Sequence, residues 1–208
     1  MSSGGQTGTA LSTTHTNLTA DIIEARVRQI TSKDSTTLET PTEIDTKTAE
    51  VCREISRRTL NLKNTSSGTL SASTNTITIP TDMIQSEEAV EALYLDSTLL
   101  DKITFDEWRA GKMKGFAYRD GIIYVAPTPD TARTYTLYYR RYHTTSVQTI
   151  EFNDDWKMCI VYGVCQKIYE DYEQSEDKGI EYMQKFEHEL NKNEPAEMPV
   201  GRIRSFRG

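Results

Sequence analysis

Cysteine, proline and long apolar runs are scarce in this chain of 208 residues. It has 3 cysteines and 6 prolines, and hydrophobic residues make up 36% of it. An odd number of cysteines without paired spacing argues against a disulfide framework and favours reduced thiols in a protein assembled in the cytosol. The longest apolar runs are far too short to span a bilayer. We therefore expect a modest core, with part of the stability supplied by partners.

The sequence also lacks a recognisable reaction centre. It contains no glycine-rich phosphate loop and no metal-ligand spacing. His15, His143 and His188 have no nearby serine or cysteine in a nucleophile context. Asp154 and Asp155 are adjacent in the first turn of an expected helix, where they would complement the helix dipole. The sequence predicts a protein that is not an enzyme and needs no cofactor or metal.

Positive charge is in deficit as well. The formal net charge is −7 and the sequence pI is near 5.1, which argues against a free-standing DNA- or membrane-binding protein. The N-terminal stretch has no basic region and no apolar region, so we expect no signal peptide and a soluble product.

Hydrophobic periodicity, by contrast, is clear and changes twice along the chain. It is close to 3.6 residues in the first third, close to two after residue 76, and 3.6 again from Asn153. The predicted fold is α+β, a helical bundle built from the N- and C-terminal helices with a small antiparallel β module inserted. The expected segments are a flexible polar arm (1–17), the N-terminal helices (18–62), the inserted β module (63–150), an acidic helical hairpin (151–194) and an extended basic arm (195–208).

Local signals place the ends and faces of the helices. Thr42 and Asp45 stand in a capping-box-like spacing at the start of the second helix, and Asn153 is expected to cap the fourth. Gly163, inside an apolar helix, predicts close approach of a neighbouring helix. The inward face of the last helix is predicted from its apolar spacing to hold Ile180, Met183, Phe186 and Leu190.

The β module is predicted from short alternating runs. "GFAYRDGIIYVAP" indicates a hairpin across Asp120-Gly121, a strong two-residue turn signal. Residues 133–143 are expected to form the next strand, with Tyr138 and Arg140 on one face and Leu137 and Tyr139 on the other. Residues 63–76, rich in Ser, Thr and Asn, are expected to be a polar loop.

Acidity is concentrated near the C-terminus. Twelve acids and five lysines lie between residues 151 and 194, a difference of −7 that equals the net charge of the whole chain. An ordinary solvated helix face is one interpretation. The other is the wall of a channel through which DNA slides, because like charge prevents sticking. The candidate residues for that surface are Glu170, Asp171, Glu173, Glu176 and Asp177.

Three stretches together resemble the head-to-tail adaptor (connector, head-completion) proteins of tailed bacteriophages. "ITIPTDMI" is similar to that family's strand-proline-aspartate element. "AYRDGIIYVAPTPDTARTYTLYYRRYH" is similar to its hairpin, Pro-x-Pro turn and aromatic strand. "FNDDWKMCIVYGVCQKIYEDYEQSEDKGIEYMQKFEHEL" is similar to its closing helical hairpin. The likeness covers about residues 20–190.

The resemblance implies a non-catalytic ring, usually of twelve copies, beneath the portal in the neck of the virion. Such a ring extends the DNA channel, holds the packaged genome in and receives the tail or nozzle, while the genomic DNA passes without specific binding. It further implies that the basic C-terminal arm reaches the portal and suggests that one face of the tyrosine strand, with Tyr138 and Arg140, contacts the next subunit. A sheet core buried on both faces is the alternative for that strand. The arm residues are Arg202, Ile203, Arg204, Phe206 and Arg207.

Other functions remain open at this point. Another ring-forming protein of the phage particle, such as a tail terminator or tube protein, would also assemble from identical copies. A tube protein, however, should be dominated by β structure. A small enzyme or cell-wall-binding accessory would need a convergent polar site. A cellular nucleic-acid-binding module conflicts with the acidic charge balance.

Overall fold

The computed structural model describes residues 18–31, 40–111, 113–171 and 176–193. Within these ranges the chain forms five α-helices: α1 Ala20–Thr31, α2 Pro41–Thr59, α3 Phe105–Arg109, α4 Lys157–Glu170 and α5 Glu176–Asn193. They also hold seven strands: β1 Lys63–Leu70, β2 Thr76–Thr78, β3 Val90–Leu95, β4 Thr98–Leu100, β5 Gly115–Arg119, β6 Ile122–Ala126 and β7 Arg133–Arg140. The predicted α+β class is confirmed.

The long helices share one hydrophobic core. α1, α2 and α4 contact one another, and α5 packs along α4. Their apolar stripes supply Ile23, Val27, Ile44, Val51, Ile55, Ile160, Val164 and Phe186 to a cluster of buried side chains. α2 and α5 both approach α4 closely at Gly163, because an added Cβ would lie 2.7 Å from Val51 Cγ1 and 3.0 Å from Phe186 Cδ2. The close approach expected at Gly163 is therefore confirmed.

The start of α2 differs from the expectation. The capping box is formed by Thr40 and Glu43, since the Thr40 side chain accepts from the Glu43 N–H and Glu43 accepts from the Thr40 N–H at 2.6 Å. Pro41 takes the first helical position, where its missing N–H costs nothing. The predicted box of Thr42 and Asp45 is wrong by two residues, because Pro41 begins the helix and makes Thr40 the N-cap.

Two antiparallel sheets form a second core. The strand order is β1-β7-β3-β4 in the larger sheet and β2-β6-β5 in the smaller one. Their facing sides bury Leu70, Ile77, Leu93, Phe116, Ile123, Val125, Leu137 and Tyr139. The β5–β6 hairpin turns at Asp120-Gly121, whose φ angles of 50° and 77° are those of a tight hairpin turn. That prediction is confirmed.

The sequence predicts a polar loop at residues 63–76, but residues 63–70 form strand β1. Its residues pair with β7 over the whole length of the strand, from Lys63 opposite Arg140 to Leu70 opposite Arg133. The strand is largely exposed and lacks alternating apolar residues. Pairing with β7 stabilises the extended backbone here, although the local sequence favours a loop.

Two further expectations need correction. Asn153 lies at the N-cap of a 3-10 turn, Asp154–Trp156, that precedes α4, but its side chain donates to Asp155 at 3.0 Å instead of capping the helix. Ile180 and Met183 were expected inside, yet they are 45% and 41% exposed. α4 instead covers the neighbouring stripe of α5, namely Gly179, Tyr182, Phe186 and Leu190.

Candidate assembly surface

The outer face of the larger sheet carries an exposed aromatic patch. Tyr94 lies opposite Leu99 on β4 and Thr136 on β7, and Tyr138 follows Thr136 by two residues on the same face. The Tyr94 and Tyr138 rings meet edge to face with centroids 5.6 Å apart. Leu99 is 55% and Tyr138 41% exposed. We name Tyr94, Leu99 and Tyr138 the sheet patch.

Positive charge borders the sheet patch. Arg140 continues the face of Tyr138, and Lys63 lies opposite Arg140 on β1. Both cations contact the same carboxylate, Glu91, with the Lys63 Nζ at 3.0 Å from Glu91 Oε1. Two cations therefore share one anion, which leaves this edge of the patch with an excess of positive charge.

The buried side of β7 holds the strand in place. Tyr139 is 2% exposed, its hydroxyl donates to Asp82 Oδ1 at 2.9 Å, and it accepts from the Asn64 amide at 3.1 Å. Burial, together with the Asp82 carboxylate, raises the pKa of Tyr139 to about 12. The adjacent tyrosines thus differ in environment: Tyr139 anchors the strand and Tyr138 faces out, as the alternation of β7 predicts.

A buried histidine joins the sheet to the helices. The His143 N–H donates to Ser56 Oγ on α2 at 3.0 Å, and the Glu151 N–H donates to His143 Nε2 at 3.0 Å. Since Nε2 accepts, Nδ1 carries the proton and donates to the Thr144 carbonyl at 2.6 Å. Burial lowers the pKa of His143.

Glu151 completes this junction through its side chain. It accepts from the Arg141 guanidinium through both of its oxygens, one contact being 2.9 Å. This ion pair holds the pKa of Glu151 below its usual value. The sequence pattern predicts no structural role for His143. No motif marks the residue, because two of its three partners, Ser56 and Glu151, lie far from it in the sequence or across a loop.

The acidic end of the helical hairpin is partly neutralised within the chain. Glu170 accepts from the Gln166 amide at 2.7 Å, and Asp171 pairs with Lys47 of α2. Glu176 and Asp177 are exposed in the first turn of α5, where the helix dipole stabilises them. Glu173 lies outside the described residues. The structure therefore describes four of the five predicted members of this surface.

The predicted arm residues also lie outside the described part of the chain. They are Arg202, Ile203, Arg204, Phe206 and Arg207.

A cleft of about 570 Å³ lies between α2, α4 and α5. Its charged rim is largely paired: Arg58 makes two contacts to Glu187, at 2.6 and 2.7 Å, and Lys167 lies 3.2 Å from Glu50. Its lining includes no serine, cysteine or histidine. The ion pairs therefore join the helices across the cleft.

The cysteines are not positioned for chemistry either. Cys52, Cys159 and Cys165 are unpaired and buried, and burial raises the pKa of each thiol to about 12. In the described ranges no group of three or more His, Cys, Asp or Glu side chains could hold a metal ion. Among the helices described, none is long and apolar enough to cross a membrane.

Exposed apolar and aromatic side chains on the larger sheet form a candidate assembly surface among the described residues. The family model described as SU10 adaptor protein matches residues 17–204. The match spans most of the chain, so the chain belongs to the SU10 adaptor protein family, in agreement with its resemblance to phage head-to-tail adaptors. Membership makes it a structural adaptor protein of a bacteriophage. No curated protein sequence matches it significantly.

Proposed function

We propose that the chain forms a ring under the portal, at the interface of head and tail in the virion. This ring extends the DNA channel, retains the packaged genome and provides the site where the tail or nozzle attaches. The match to an adaptor family over residues 17–204 carries the proposal. The exposed sheet patch supports it, because a ring needs a surface that the monomer leaves uncovered.

We propose a structural role for each of the five segments defined from the sequence. The N- and C-terminal helices, within 18–62 and 151–194, form the bundle, and the β module of 63–150 is inserted between them. Contacts of α4 with α1, α2 and α5 support the bundle, and the separate core of the sheets supports the module. Residues 1–17 and 195–208 are arms available to partners.

Tyr138 and Arg140 are proposed to contact the next subunit. Tyrosine suits such a contact, because it buries a large area at low entropy cost and keeps a polar hydroxyl. The exposure of Tyr138 and its edge-to-face contact with Tyr94 give a fixed aromatic surface. Twelve copies are proposed, as the family resemblance implies.

The acidic end of the hairpin is proposed to line the DNA channel. Glu170, Asp171, Glu173, Glu176 and Asp177 would present negative charge to the phosphate backbone, so DNA would pass without binding. The exposure of Glu170, Asp171, Glu176 and Asp177 supports this role.

The basic C-terminal arm is proposed to bind the portal. In its last residues arginines alternate with Ile203 and Phe206, a pattern that suits addition of a strand to a sheet edge, with arginines reaching acidic pockets. The partners are then the portal above, the tail or nozzle below, and further copies of the chain at each side.

Light scattering of the purified chain with and without its phage's portal ring tests this function. We expect a monomer alone and about a dozen copies loaded on each portal. A closed ring formed without portal would favour a tail terminator or tube protein instead. A chain that does not bind the portal ring would contradict the proposal.

A further inference from the structure

Large apolar side chains are exposed in three places on the described residues. They are the sheet patch, Met113 beyond α3, and the pair Ile180 and Met183 on α5. Ile180 and Met183 lie three residues apart, so they form one apolar ridge on the helix surface. We name this pair the helix ridge. α5 buries a different stripe against α4, and among the described residues the ridge stays 45% exposed at Ile180 and 41% exposed at Met183.

We propose that the sheet patch of one copy packs against the helix ridge of the next copy, a contact that rests on the proposed ring. Both surfaces are small and apolar, and four of their large side chains are between 41% and 55% exposed in the described part of the chain. The contact would remove Leu99, Tyr138, Ile180 and Met183 from water together, which favours association. A second copy supplies both surfaces at once.

Charge agrees with this pairing. Arg140 and Lys63 share the single carboxylate of Glu91 at the border of the sheet patch. The first turn of α5 places Glu176 and Asp177 four and three residues before Ile180, on the adjacent helix surface. The excess cation of one copy would thus meet the acids of the next, which fixes the direction of the contact. In this pairing Glu176 and Asp177 lie at the rim of the contact, so Glu170, Asp171 and Glu173 would supply most of the negative charge of the proposed channel.

The two surfaces are different patches of one chain, so the contact is heterologous. Heterologous contacts generate rings when the rotation closes. A sheet patch that met a second sheet patch would instead give a two-fold dimer. The pairing of unlike surfaces therefore accounts for a ring rather than a dimer.

Cysteine trapping tests the pairing, because the native cysteines are all buried. The full chain is prepared as Tyr138→Cys and, separately, as Met183→Cys. The two are mixed with the portal ring and oxidised, at a protein concentration high enough to offset the weaker loading expected when Tyr138 is replaced. We expect disulfide-linked dimers from the mixture at a yield at least ~10-fold above that from either variant alone. Met113→Cys is the matched control, since Met113 is exposed but belongs to neither surface.

The outcomes separate this inference from the proposed function. The pairing is overturned if the mixture of Tyr138→Cys and Met183→Cys loads on the portal but cross-links no better than the mixture of Tyr138→Cys and Met113→Cys. That result would not contradict the proposed ring. Strong linking of Tyr138→Cys to itself indicates a two-fold contact and also overturns it. Failure of the unmodified chain to load on the portal contradicts the proposed function itself.

Discussion

At the scale of single residues, Gly163 shows how tightly the helices pack. Gly163→Ala would force a Cβ to within 2.7 Å of Val51 and 3.0 Å of Phe186, both buried. We expect a loss of about 1–3 kcal/mol in the free energy of unfolding, measured by urea denaturation.

Gly179→Ala is the matched control for that substitution. The nearest atoms to its Cβ lie 3.9 Å away, and alanine is the better helix former by about 1 kcal/mol. The control should be neutral or stabilising. Equal losses at Gly163 and Gly179 would contradict the packing described for α4.

His143 should make the stability depend on pH. Burial lowers its pKa in the folded state, so below an ordinary value of about 6.5 the unfolded chain binds a proton that the folded chain does not. Stability attributable to His143 is therefore complete above that pH. It falls as the pH decreases toward the lowered pKa, by at most about 1.4 kcal/mol per pH unit.

His143→Gln should flatten this acid dependence while lowering stability at neutral pH, because it breaks the contacts to Thr144 and Glu151. Urea midpoints measured between pH 7.5 and pH 5 would show the difference. Parallel pH curves for the two proteins would contradict a neutral buried His143.

Single residues also show which features of the helix packing can be predicted from the sequence and which cannot. The close approach at Gly163 was predictable, because a glycine inside an apolar helix costs stability unless a neighbouring element needs the space. Ile180 and Met183 were predicted inside and are exposed, since α5 carries two overlapping apolar stripes. Only the direction of approach of α4 decides which stripe is buried, and no local pattern records that direction.

At the scale of elements, Arg58 and Glu187 tie α2 to α5. Their two contacts of 2.6 and 2.7 Å form a paired guanidinium–carboxylate geometry. Both side chains are partly exposed, so solvent weakens the pair. A double-mutant cycle with Arg58→Ala and Glu187→Ala should give a coupling of about 0.5–1 kcal/mol that decreases in high salt. A coupling of zero at low salt would contradict this tie.

The elements differ in how far the sequence predicts them. The β5–β6 hairpin was predictable, because Asp120 and Gly121 adopt the positive φ angles that a two-residue turn needs. β1 was not, because residues 63–70 carry no alternating apolar pattern and become a strand by pairing with β7. A strand that forms because it pairs with a neighbouring strand cannot be predicted from the local pattern of apolar residues.

At the scale of the whole molecule, substitutions at the adjacent tyrosines of β7 distinguish effects on assembly from effects on folding. Tyr138→Ser removes an exposed ring, so we expect little change in Tm and weaker loading on the portal. Tyr139→Ser removes a buried ring bonded to Asp82 and should cost about 3 kcal/mol of stability. Thermal melts and light scattering of both variants distinguish the two roles. A Tyr138→Ser monomer that simply melts would contradict an assembly role for Tyr138.

The most direct test of the adaptor function uses filled heads from phage particles made without this protein. Purified chain is added to these heads, and the nuclease-protected DNA is measured over time against heads that receive buffer. We predict that DNA leaks from untreated heads, and that the added chain keeps the genome protected and restores tail attachment. Equal protection in both samples, with tails attaching to untreated heads, would contradict the account.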